Sequence, residues 1–156
     1  MRLFLIVLLA VPAMAQFRMI ELKFRGSDCI SCTASLPERL RRMRGVESAE
    51  VDVTKGLVTL RLAEANRVRL EQVRDVVEQD GTKALSATVH ISGEVTNAAG
   101  AWIVTPEGFN ARYRVDTAGT QLSPGKWLIR GEVTALRPDG GLITIRALPD
   151  KGLLRL

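Results

Sequence analysis

Cys29 and Cys32 are the only two cysteines in this chain of 156 residues, and they stand three positions apart. A bridge closing so short a loop removes little entropy from the unfolded chain, so a structural staple is a poor use of the pair. Chemistry explains it better. Cys32 falls at the first turn of a predicted helix, where free N–H groups and the helix dipole favour thiolate over thiol. A thiolate is both a nucleophile and a soft metal ligand. Two such sulfurs on one loop suit Cu(I) or Hg(II), whereas Zn(II) needs further ligands to complete its tetrahedron. Low coordination also leaves a bound ion open to attack by another protein's thiolates, which a carrier requires and a storage site avoids. The same pair can instead cycle between dithiol and disulfide.

The elements that must hold this loop follow from periodicity. Phe17 to Phe24 reads as a strand leading into the loop, and a helix runs from the loop to about Met43, with Leu36, Leu40 and Met43 on one face. Pro37 requires the first turn of that helix or a kink, and Gly45 ends it. Val46–Val53 and Leu57–Leu62 alternate as two strands around a turn at Thr54-Lys55-Gly56. A second helix spans roughly Arg67 to Gln79, with Leu70, Val73 and Val77 buried, and stops at Gly81. Ala84 to Ile91 reads as a fourth strand. The order is βαββαβ, a split β-α-β (ferredoxin-like) arrangement with both helices on one face of an antiparallel sheet.

Past Ser92 the helical period vanishes. Short alternating stretches at His90–Thr96, Ala101–Thr105, Ala111–Asp116, Trp127–Leu136 and Leu142–Leu148 are separated by turn clusters. Gly93-Glu94-Val95-Thr96 recurs as Gly131-Glu132-Val133-Thr134. Hairpins repeated in this way predict a small barrel, whose closure removes exposed sheet edges. The stretch from Gly125 to Val133 with its final hairpin resembles the last strands of oligonucleotide/oligosaccharide-binding (OB-like) barrels. The fold class is therefore α+β. Residues 1–15 form a signal peptide, 16–91 the ferredoxin-like domain and 92–156 the OB-like barrel, with no flexible linker between the domains.

The amino terminus supports export. Arg2, the apolar run Leu3–Val11, Pro12 and then Ala13-Met14-Ala15 follow the order of a secretory signal, predicting cleavage after Ala15. The mature chain carries no membrane span, and the compartment is periplasmic or extracellular. A net charge of +5 is dispersed, and aromatic residues make up only 4% of the chain. Nucleic-acid binding is not expected, because it usually needs a concentrated basic stripe with stacking rings.

Gly26-Ser27-Asp28-Cys29-Ile30-Ser31-Cys32, after a strand and before a helix, resembles the G-M-x-C-x-x-C loop of heavy-metal-associated domains. Gly45-Val46, Val51, Val53 and the helix ending at Gly81 follow the same rhythm over residues 17–91. The resemblance implies a non-catalytic metallochaperone or sensor, monomeric, that binds Cu(I) (alternatively Zn(II) or Hg(II)) at Cys29 and Cys32 and exchanges it with a donor or acceptor protein. Departures from the family pattern matter. Ser27 replaces the Met packed beneath the loop, and Thr82 replaces an aromatic after the second helix. Lys83 stands near the position of a lysine that, in related copper chaperones, offsets the charge of a bis-thiolate site. Asp28 stands where zinc-exporting relatives use a carboxylate as third ligand, although an Asx turn or helix cap would use the same residue.

The remaining candidates are weaker. His90 is the sole histidine and reads as a strand-surface or junction residue. Met19 and Met43 read as core filling. Arg39, Arg41, Arg42 and Arg44 form a charged helix face that can also dock an acidic partner. Trp102, Tyr113 and Trp127 are expected to anchor the barrel or its junction with the first domain. Two other functions stay open. One is a thiol-disulfide redox protein, although no proline between Pro37 and Pro106 could supply the cis-proline of thioredoxin-like folds. The other is an interaction module built on the barrel.

Overall fold

The computed structural model describes residues 16–26, 33–79, 81–108, 110–138, 140–149 and 151–156. The chain opens with β1 (Phe17–Arg25), α1 (Leu36–Arg41), β2 (Val46–Asp52), β3 (Leu57–Leu62), α2 (Leu70–Glu78) and β4 (Lys83–Ala98). The strands lie in the order β2-β3-β1-β4, each pair antiparallel. This is the ferredoxin-like arrangement. Ile20, Leu22 and Phe24 of β1 share one buried cluster with Val58 and Leu60 of β3 and with Leu36, Leu40, Leu70, Val73 and Val77 of the helices. Period two in the strands and period 3.6 in the helices thus meet on one face of the sheet. Pro37 sits in the first turn of α1, where its missing N–H costs nothing.

α2 begins three residues later than the apolar period predicts. Asn66 is the reason. It is buried, its Nδ2 donates to the carbonyls of Phe17 (2.8 Å) and Ala63 (2.6 Å), and its Oδ1 accepts from the Val68 N–H (3.1 Å). The tie to β1 holds residues 66–68 out of the helix. Arg69 then caps it in an extended conformation, its N–H donating to Gln72 Oε1 at 3.0 Å.

β4 is 16 residues long, and the boundary expected between Ile91 and Ser92 falls in its middle. Its first part pairs with β1, from Arg25↔Lys83 to Phe17↔Ile91. Its second part continues into β5 (Ala101–Thr105), and the chain goes on through β6 (Tyr113–Asp116), β7 (Gly125–Val133), β8 (Thr144–Ala147) and β9 (Leu153–Arg155). The pairings β4–β5, β5–β6, β6–β8, β8–β7 and β7–β4 return to their starting strand, so five strands close into a ring with β6 and β8 parallel. The repeated glycines lie where a neighbouring strand leaves no room for a side chain. A Cβ on Gly93 would lie 2.7 Å from the Thr105 carbonyl, and one on Gly131 would lie 2.4 Å from Ile145 Cγ2. Only glycine fits at either place.

α2 and β1 also carry the contacts to the ring. Fully buried Tyr113 stacks edge-on against Phe17 with ring centroids 5.3 Å apart, and Arg74 Nη1 donates to the Leu136 carbonyl at 2.7 Å. Trp102 and Trp127 are partly buried against the same continuous core. Among the described residues, no helix is long and apolar enough to cross a membrane.

Candidate metal site

Asp28, Cys29 and Cys32 lie outside the described residues, as does the expected signal peptide. The segments that bracket the loop are described. Three of them meet at one end of the sheet: the end of β1 at Phe24–Gly26, the β2–β3 turn at Lys55–Gly56, and the approach to β4 at Gly81–Lys83. The Phe24 N–H donates to the Gly56 carbonyl at 2.8 Å. Arg25 lies opposite Lys83 in the register of β1 and β4. Gly26 launches the loop with φ +94°, and a Cβ there would lie 3.6 Å from the Gly81 carbonyl and 4.0 Å from the Lys83 nitrogen. Glycine suits this left-handed backbone, and Gly26 itself lies close beside Lys83.

This end of the sheet is rich in cations. Lys23, Arg25, Lys55 and Lys83 are exposed there, and Lys55 pairs with Asp52 at 3.3 Å. The pKa of Asp52 is lowered chiefly by the Lys55 backbone N–H; burial opposes this, and the Lys55 side chain and the Thr54 N–H add to the lowering. Lys83 is exposed at the first position of β4, next to Gly26, so it is placed at the loop's exit from the sheet. On the far side, Thr33 is buried in the helical turn that precedes α1.

Thr82, which stands in place of an aromatic, has a local task. It is buried, and its hydroxyl donates to the Val77 carbonyl at the end of α2. Glu78 accepts from the Ala84 N–H at 3.1 Å and pairs with Arg137. Burial works against its ionisation, but Arg137, the Ala84 N–H and Arg74 outweigh burial and lower its pKa. The turn into β4, and with it Lys83, is therefore held from both sides.

The structure separates the other candidates from this end. His90 lies opposite Arg130 on β7 and accepts a hydrogen bond from Arg130 Nε at 3.1 Å. Burial first, and the Arg130 charge second, lower its pKa, with Glu21 partly opposing them. It is a junction residue. Met43 packs against the core, whereas Met19 is half-buried and lies in register with Arg61 and His90, on the face away from Ile20. The expectation of core filling therefore fails for Met19, because a register shift between Phe17 and Met19 sets the outward face. Arg42 pairs with Glu38 at 3.0 Å, and Arg39 donates to Gln79 at 2.9 Å, tying the two helices together. Among the described residues, no group of three His, Cys, Asp or Glu side chains could hold a metal ion.

The βαββαβ order and the β2-β3-β1-β4 sheet define a ferredoxin-like domain, with the candidate loop between β1 and α1. No protein-family model matches the chain. It is 38% identical over 56 residues to the copper chaperone CopZ of Staphylococcus haemolyticus, a match covering 36% of this chain and 81% of that protein. The chain belongs, through this segment, to the heavy-metal-associated domain family. Among solved structures it is similar to a CopZ metallochaperone (25% identity, 43% of this chain and 98% of that one, TM-score 0.39). It is also similar to a copper-binding domain from HMA7, a P-type ATPase (25% identity, 43% and 89% covered, TM-score 0.38).

Proposed function

We propose that this protein is a non-catalytic, exported carrier or sensor of Cu(I). It takes the ion at Cys29 and Cys32 and hands it on by thiolate exchange. The observation that carries this reading is the 38% identity to a copper chaperone over 56 residues. Two thiolates three positions apart give a soft, low-coordinate site, and an incoming thiolate adds before an outgoing one leaves. Asp28 is the candidate third ligand for Zn(II), and Lys83 offsets the negative charge of the loaded loop. Cu(I) is cargo here.

The proposed compartment is the periplasm or the exterior, reached through cleavage after Ala15. The donor or acceptor is a protein with an acidic docking face. The ring formed by β4, β5, β6, β8 and β7 is read as an OB-like barrel that holds the free edge of β4. The protein is monomeric.

The test is titration of the reduced mature protein with Cu(I) against a competing chelator. One equivalent bound, and lost in Cys29→Ser, is the expected result. Binding that is no stronger than to a weak chelator, or that Cys29→Ser leaves intact, would end the carrier reading.

A further inference from the structure

We propose a second binding site, at the end of the domain opposite the cysteine loop, for a small apolar carboxylate bearing an amide or hydroxyl donor. A cavity of about 830 Å³ lies between the end of α1, the segment leading into α2, α2 itself, Gln16 before β1, and Gly108 after β5. That size is within the range of small-molecule sites. Its apolar wall includes Met43, Val68 and Val76, and two cations, Arg44 and Arg67, line it as well. Asp75, the one carboxylate among its described lining residues, is already held by Arg74 at 2.7 Å and by Arg137 at 3.6 Å. Among the described residues, neither Arg44 nor Arg67 has a hydrogen-bonding or ion-pair partner. The cavity therefore offers net positive charge beside an apolar wall, which suits an anion with an apolar body.

Gln16 adds a third element. It lines the same cavity, is only 4% exposed, and its buried Oε1 has no hydrogen-bond partner among the described residues. An acceptor left in that state is costly, and a ligand N–H or O–H would satisfy it. The backbone of Gln16 is fixed by exchange with Ser92, donating to its Oγ at 3.2 Å and accepting from its N–H at 3.0 Å. Gln16 is thus tied to Ser92 of β4 immediately before β1 begins. Gln16 precedes β1 and the cysteine loop follows it, so the two sites are roughly 30 Å apart along the nine-residue strand.

N-acetyl-L-phenylalanine supplies a carboxylate, a ring and an amide N–H, and N-acetyl-L-phenylalaninamide is its uncharged control. Amide chemical shifts of the full mature protein are followed during titration with each. The acid should shift residues 65–76, and the amide should bind about tenfold more weakly or worse, a difference of about 1.4 kcal/mol. Arg44→Ala with Arg67→Ala should weaken the acid by at least that factor, Gln16→Leu should weaken it less, and Arg41→Ala should leave it unchanged. Ala65→Trp, at an exposed lining position, should block binding without lowering the melting temperature. Equal binding of acid and amide, full affinity in the double arginine variant, or no shifts up to the solubility limit would each overturn the proposal. Cys29→Ser must not alter this binding, so its outcome is independent of the copper titration.

Discussion

Tyr113 of the closed ring donates its hydroxyl to Glu71 Oε2 on α2 at 3.2 Å, joining two elements 42 positions apart in sequence. Its ring lies edge-on to Phe17 at the start of β1, and β4 passes unbroken from one half of the molecule to the other. These contacts fix the ring relative to the strand that leads into the cysteine loop.

The first prediction concerns this junction. Tyr113→Phe removes one partly buried hydrogen bond and should cost about 0.5–1.5 kcal/mol, while Tyr113→Ala opens a cavity and should cost about 3–5 kcal/mol. Because the core is shared, urea unfolding followed by Trp102 and Trp127 fluorescence should coincide with unfolding followed by helical circular dichroism. Two separated transitions would show that the halves fold independently. Burial, and then the Glu71 charge, raise the Tyr113 pKa well above its ordinary 10.0. A raised folded-state value means that stability is complete below the unfolded pKa and declines above it. An alkaline loss of stability beginning near pH 10 should therefore be present in the native protein and reduced in Tyr113→Phe.

His90 provides the second prediction, at the acid end. Its neutral ring accepts from Arg130 Nε, and protonation would place two cations across the β4–β7 pair. Its folded-state pKa lies below the ordinary 6.5, so stability is present above that value and declines as pH falls through and below it. Glu21 is the nearby charge that softens the effect. His90→Gln should flatten the acid limb between neutral pH and the onset of carboxylate protonation. An unchanged urea midpoint profile would remove His90 as its source.

Much of the first half was legible because its local patterns agree with its packing. Alternation in Leu57–Leu62 and the stripe Leu70, Val73, Val77 state directly which faces are buried. Other features depended on which distant segments meet. Nothing near Asn66 in sequence announces that its amide will reach Phe17, so the late start of α2 was hidden. The same is true of the union of two short alternating runs into one β4, since alternation reports burial but not whether a strand bends or stops. The cysteine spacing marked the candidate loop, while Gly26 and Lys83 became neighbours only through the β1–β4 register.

The third prediction follows from that register. Lys83 is exposed, so its attraction for a loaded bis-thiolate loop is that of a screened charge, on the order of 1 kcal/mol or less. Lys83→Met should weaken Cu(I) binding a few-fold in competition titrations, and the difference should shrink as salt is raised. A loss that salt does not alter would point to a structural effect on the turn held by Thr82 and Glu78.

The last prediction separates the metals. A carboxylate is a hard oxygen donor that completes a Zn(II) tetrahedron but adds little to a two-sulfur Cu(I) site. If Asp28 is a third ligand, Asp28→Ala should weaken Zn(II) by about tenfold or more, or at least 1.4 kcal/mol, and leave Cu(I) affinity nearly unchanged. Asp28→Asn separates coordination from a turn or cap, because an amide oxygen keeps the local hydrogen bond while losing the anionic ligand. Zn(II) loss in both variants with a constant melting temperature assigns the carboxylate to the metal. Loss of stability in Asp28→Ala, its restoration in Asp28→Asn, and equal effects on both ions would assign it to the loop, leaving the two sulfurs as the sole donors from this segment.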